Sequence, residues 1–163
     1  MIYQNNIDCL PIIRRVGCFV RSCGLIAEKR YSENNPDSFE ELTADQINRM
    51  WSWGKDTEII NENNCLQDSA KMATFALKQL GDMNGYFAEI ATKYPDGKCY
   101  TYPWAEKKGY VPDFFIQKIV QNGPGVYHFR MVDKDDNLLV DPHDPPIHVV
   151  KPVYTICYKY LEK

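Results

Sequence analysis

Apolar positions recur at helical spacing through the first half of the chain and at shorter intervals through the second. Between Cys18 and Arg30, the residues Phe19, Cys23, Ile26, Ala27 and Arg30 fall three and four apart, and the first four make an apolar stripe. A helix is therefore expected over 18–30, weakened by Gly24 but allowed a close neighbour there. The polar stretch Tyr31–Glu41, which contains Pro36, predicts a loop. Thr43-Ala-Asp-Gln46 is a capping box, and Ile47, Met50 and Trp51 follow it as the buried stripe of a helix over 43–53. Asp68 opens a third helix over 68–80, with Met72, Ala73, Ala76, Leu77 and Leu80 on one face and Gly81 as its stop.

Beyond Gly81 the pattern becomes extended. Tyr86–Ala91 is a short strand candidate, and Tyr94-Pro-Asp-Gly97 is a turn. Phe114–Val120 and Val126–Val132 read as strands separated by the turn Gln121-Asn-Gly-Pro-Gly125. Lys134–Asn137 forms a polar hairpin tip from which Leu138–Val140 returns. Ile147–Val150 and Tyr154–Tyr160 give the last extended signals. Helices first and strands later predict an α+β fold, with N-terminal helices packed on a C-terminal antiparallel sheet. No repeat, low-complexity tract or long polar linker divides residues 1–163, so a single domain is expected.

Composition narrows the function classes. The 163 residues are 44% hydrophobic and 25% charged, ordinary for a folded domain and unlike a disordered chain, a collagen or a coiled coil. A formal net charge of −3 leaves no broad basic field, so no nucleic-acid partner is expected. The N-terminus lacks a basic stretch followed by an apolar one, and no apolar run is long enough to span a bilayer. A cytoplasmic location is expected, with no membrane partner. The six cysteines are accordingly read as free thiols, most of them small buried hydrophobes.

Candidate chemistry rests on a thiol, an imidazole and a carboxylate. Cys18 follows Gly17 and starts the first strong helix, where unpaired amides and the helix dipole favour thiolate and can bind an oxyanion. His128 lies within the strand Val126–Val132, which would hold its ring rigidly. Asp141 ends the returning strand of the hairpin, which brings it opposite residues near His128 or Arg130. A carboxylate there fixes the imidazole tautomer and stabilises the imidazolium. Cys18, His128 and Asp141 are thus the candidate catalytic residues of a thiol hydrolase.

The segment from Gly125-Val-Tyr-His128-Phe-Arg through Leu-Leu-Val-Asp141-Pro resembles the His strand and Asp-Pro strand of papain-like peptidases, especially the bacteriocin-leader-processing group. More closely, the chain resembles an uncharacterised family from spirochaete plasmids, bacterial prophages and gut phages. The matching blocks are Ile13-Arg-Arg-Val-Gly-Cys18-Phe with Ala27-Glu28, Leu42-Thr-Ala-Asp-Gln-Ile47, Asn64-Cys65, Ala76-Leu-Lys-Gln-Leu-Gly81, His128-Phe-Arg and Asp141-Pro. Together they span most of residues 7–145. The resemblance implies a papain-like fold with Cys18, His128 and Asp141 at the triad positions, and it implies no particular substrate.

The sequence departs from that pattern in two respects. Papain-like enzymes carry a Gln a few residues before the nucleophile, whereas Pro11-Ile-Ile-Arg-Arg-Val-Gly17 has none; Arg14 and Arg15 are the polar groups in that stretch. A rival frame, Gln4-Asn-Asn-Ile-Asp8-Cys9, places a Gln five residues before Cys9. It would put Gly17 inside a helix, so Cys18 is preferred.

Other constellations are weaker. His143 and His148, with Asp141 or Cys157, match no common zinc spacing, so no metal or cofactor is expected. Trp51, Trp53, Trp104, Tyr100, Tyr102 and Tyr110 suit core, rim or a protein-binding groove. Two functions remain open. One is a phage- or mobile-element-encoded cysteine peptidase or thiol amidohydrolase acting on a peptide or protein substrate. The other is a non-catalytic scaffold of the same fold that binds a host protein. Oligomeric state has no sequence signal.

Overall fold

The computed structural model describes residues 1–38, 40–121 and 127–163. Five helices, α1 (Pro11–Val16), α2 (Cys18–Asn34), α3 (Ala44–Asp56), α4 (Ser69–Leu80) and α5 (Pro103–Lys108), accompany six strands. The strands are β1 (Gly85–Lys93), β2 (Cys99–Thr101), β3 (Phe114–Gln121), β4 (Tyr127–Val132), β5 (Leu138–Val140) and β6 (Val149–Glu162). The fold is α+β, with N-terminal helices and a six-stranded antiparallel sheet ordered β2-β1-β6-β3-β4-β5. The C-terminal strand β6 thus lies inside the sheet, between β1 and β3.

The predicted helix starts hold because local chemistry sets them. Thr43 accepts from the Gln46 amide and Gln46 answers with its side chain, completing the box that starts α3. Asp68 caps α4 by accepting from the Lys71 N–H, and Gly81 closes it at φ +109°, a conformation that favours glycine. The turn at Gln121–Gly125 falls almost entirely on residues 122–126, outside the described residues.

Three expectations are corrected. The loop predicted from Tyr31 begins later, because α2 runs on to Asn34. The helix ends just before Asn35-Pro36, since a residue preceding proline is disfavoured in the α region. The two C-terminal extended segments are one strand, β6, which passes through Pro152 at a register shift opposite β3; a bulge is where a strand tolerates proline. Finally, α2 has no simple apolar stripe. Cys18 and every residue from Val20 to Glu28 are buried, because α3, α4 and β4 all pack against it.

That burial includes charge. Arg21 is 0% exposed. Its guanidinium pairs with Glu28 two turns on at 2.9 Å and donates through Nε to the Ile2 carbonyl at 2.6 Å. Glu28 also accepts the Leu42 amide at 2.9 Å. One ion pair therefore clamps the N-terminal segment, α2 and the entry to α3 together. On the sheet's other side a small cluster of Ile90, Ala91, Ala105 and Cys157 is covered by α5.

Candidate active site

α1 and α2 are separate helices that meet at Gly17. A Cβ on Gly17 would lie 2.6 Å from the Ile13 carbonyl oxygen, so glycine alone lets the chain turn this tightly. The turn makes Cys18 the first residue of a 17-residue helix whose N-terminus has no side-chain cap. The thiol therefore sits at the positive end of a long helix, among first-turn amides that no cap occupies.

His128 sits in β4, which pairs with β3 through Ile119 and leads into the β4–β5 hairpin. Neighbouring side chains tie the thiol and imidazole elements to each other. Phe19, next to Cys18, stacks on Phe129, next to His128, with ring centroids 3.9 Å apart and planes within 3° of parallel. Such a contact adds about 1 kcal/mol beyond the area it buries, and here it fixes α2 against β4.

The hairpin tip turns through Asp133, whose carboxylate accepts from the amides of Asp135 and Asn137. Asp141 follows β5 directly. Its Oδ1 accepts from His128 Nε2 at 2.7 Å and from the His143 amide at 2.9 Å, while Oδ2 accepts from the Ile147 amide at 3.1 Å. Both side chains are buried, at 4% and 1% exposure. Because Nε2 is committed to Asp141, Nδ1 is the ring nitrogen left to serve the thiol. Cys18 and His128 line one cavity of about 840 Å³.

Charge follows from these contacts. Burial alone would lower the His128 pKa, but the hydrogen bond to Asp141 and the adjacent Cys18 outweigh it and carry the imidazole up to about 9. Burial alone would raise Asp141, yet the bonds from His128, the His143 amide and the Ile147 amide hold it below the ordinary carboxylate range.

The Gln4 amide also lines this cavity, although Gln4 lies fourteen residues before Cys18 in sequence. Gln4 is 3% exposed, and its side-chain oxygen is buried without a partner among the described residues. Its backbone N–H donates to Pro142 at 2.7 Å, and Arg21 holds Ile2 two residues earlier. The segment is thus pinned between α2 and the turn that carries Asp141. Within the rival frame the residues separate. Cys9 is buried, points its thiol toward the Tyr3 carbonyl and does not line the cavity. Burial pushes the Cys9 thiol up, so the Gln of that frame accompanies Cys18. The signal that could have found it was Pro11, which opens a short helix of its own and lets the chain double back.

All six cysteines are free, with Cys65 and Cys99 exposed. Among the described residues no three His, Cys, Asp or Glu side chains converge as a metal would need, and His143 and His148 stand apart from such a set. Among the described residues no helix is long and apolar enough to cross a membrane. No family model, curated protein or solved structure matches the chain.

Proposed function

We propose that the protein is a papain-like cysteine peptidase or thiol amidohydrolase. Its nucleophile is Cys18, its acid–base group is His128, and Asp141 orients the ring. The single observation that carries this reading is the buried 2.7 Å His128–Asp141 pair, whose imidazole lines an 840 Å³ cavity together with a cysteine at an uncapped helix start. An imidazole raised to about 9 is protonated at neutral pH and stands ready to act as an acid.

The chemistry is conventional for such a group set. The Cys18 sulfur attacks the scissile carbonyl carbon, and the carbonyl electron pair moves onto oxygen. First-turn amides of α2 and the Gln4 amide are the donors for that oxyanion. As the oxyanion collapses the C–N bond breaks, and the His128 proton goes to the departing amine. Water, giving its proton to His128, then splits the thioester and releases the acid and the thiolate.

A limiting iodoacetamide pulse followed by peptide mass analysis tests the reading. Cys18 should be modified well before the exposed Cys65 and Cys99 near neutral pH. His128→Ala should slow Cys18 modification about tenfold or more, since the imidazolium that stabilises thiolate is lost. Equal rates at Cys18 in the wild type and in His128→Ala would leave a non-catalytic scaffold as the better account.

A further inference from the structure

Resting on that reading, we propose that the cavity beside Cys18 is a carboxylate-binding subsite, so that the acyl substrate carries an anionic group close to the scissile carbonyl. Arg14, Arg15 and Lys118 build the subsite.

The charge balance of the cavity wall carries the argument. Besides the His128 imidazolium, three cationic side chains line it and no carboxylate does, in a chain whose 22 acidic residues outnumber its 19 basic ones. Asp141, the nearest acid in the constellation, lies behind the imidazole with both oxygens already accepting.

None of the three cations makes an ion pair among the described residues. The Arg14 Nε is buried with no hydrogen-bond partner there. An orphaned guanidinium N–H is costly, and a carboxylate is the group whose geometry matches it. Lys118 is held in place without neutralisation. Its ammonium lies 4.1 Å from the Tyr127 ring centroid and 5.4 Å from that of Tyr154, contacts that immobilise a cation and leave its charge uncancelled. Arg14 and Arg15 come from the last turn of α1, immediately before the nucleophile, so an anion held by them lies beside the reacting centre.

Matched alkylating agents test this. Iodoacetate and iodoacetamide both form a thioether at Cys18 with loss of iodide, and they differ in the carboxylate. The ratio of their rates at Cys18 cancels the thiolate fraction, because the same sulfur is read twice. In the folded protein the ratio should exceed that of the urea-unfolded chain by about tenfold, and it should fall when ionic strength is raised to about 0.5 M. Arg14→Gln and Lys118→Gln should each pull it toward the unfolded value; two variants on different elements guard against one that misfolds. A second arm compares peptide chloromethyl ketones with blocked termini bearing Glu or Gln beside the reactive carbon. Preference for Glu assigns the carboxylate to an acidic side chain, and acceleration by iodoacetate alone assigns it to a small or terminal acid. A ratio equal to that of the unfolded chain, together with no Glu preference, overturns the subsite. Slow, His128-independent reaction of Cys18 with iodoacetamide would instead overturn the hydrolase reading.

Discussion

Replacing Asp141 with Asn should convert a pH-dependent part of the protein's stability into a nearly constant one. The substitution keeps size and one acceptor but removes the charge that faces His128 at 2.7 Å. It also turns an amide NH₂ toward one of the N–H groups that the carboxylate accepts. The imidazole has a pKa near 6.5 when unfolded and about 9 when folded. A folded value above the unfolded one contributes stability that is complete below about pH 6.5 and is lost as pH climbs through about 9. The rise corresponds to about 3 kcal/mol. The hydrogen bond to Asp141 is the largest single contribution that lifts the imidazole, ahead of those from Cys18, so its removal takes away the largest single part of the rise. Buried Cys9, Cys23 and Cys157, whose thiols burial pushes up, lose stability in the same direction above about pH 8.5. They do so equally in both proteins, so the difference between the two isolates the pair. Urea unfolding at pH 6 and pH 9.5 reads it. The variant should be less stable by about 3 kcal/mol at the lower pH and by about 1 kcal/mol at the higher. Parallel stability profiles for the two proteins would refute the assignment of the raised pKa to this contact.

Two further outcomes follow from the same contacts. Gln4→Ala should lower kcat on an amide substrate by about a hundredfold, as loss of one oxyanion donor does elsewhere, with KM changing much less; a steady-state KM-against-kcat split checks it. Arg21→Ala leaves Glu28 buried without its counter-ion and frees the Ile2 carbonyl, so it should cost about 3–5 kcal/mol in chemical denaturation. Arg21→Met with Glu28→Gln should recover much of that loss, because no lone charge then remains inside.

Local chemistry made much of this molecule legible in the chain alone. The capping box at Thr43, the Asp68 cap and the Gly81 stop each act within one helical turn, so neighbouring residues suffice to place them. The hairpin tip after β4 is equally local, and with it the return of Asp141 toward His128. The helix start at Cys18 was readable because Gly17 precedes it. Only the tertiary structure decided the rest. The middle of α2, from Val20 to Glu28, is buried all round because α3, α4 and β4 pack against it, which no single-helix period encodes, and the buried Arg21–Glu28 pair follows from that convergence. β6 lies between β1 and β3 because a sheet's strand order is set by packing and loop closure rather than by the order of synthesis. Gln4 comes to line the same cavity as Cys18 because the chain between them folds into turns and a short helix, so sequence spacing stops measuring distance. Arg14 and Lys118, without an ion-pair partner among the described residues, line one cavity although they lie about a hundred residues apart, a proximity settled only after the chain has folded.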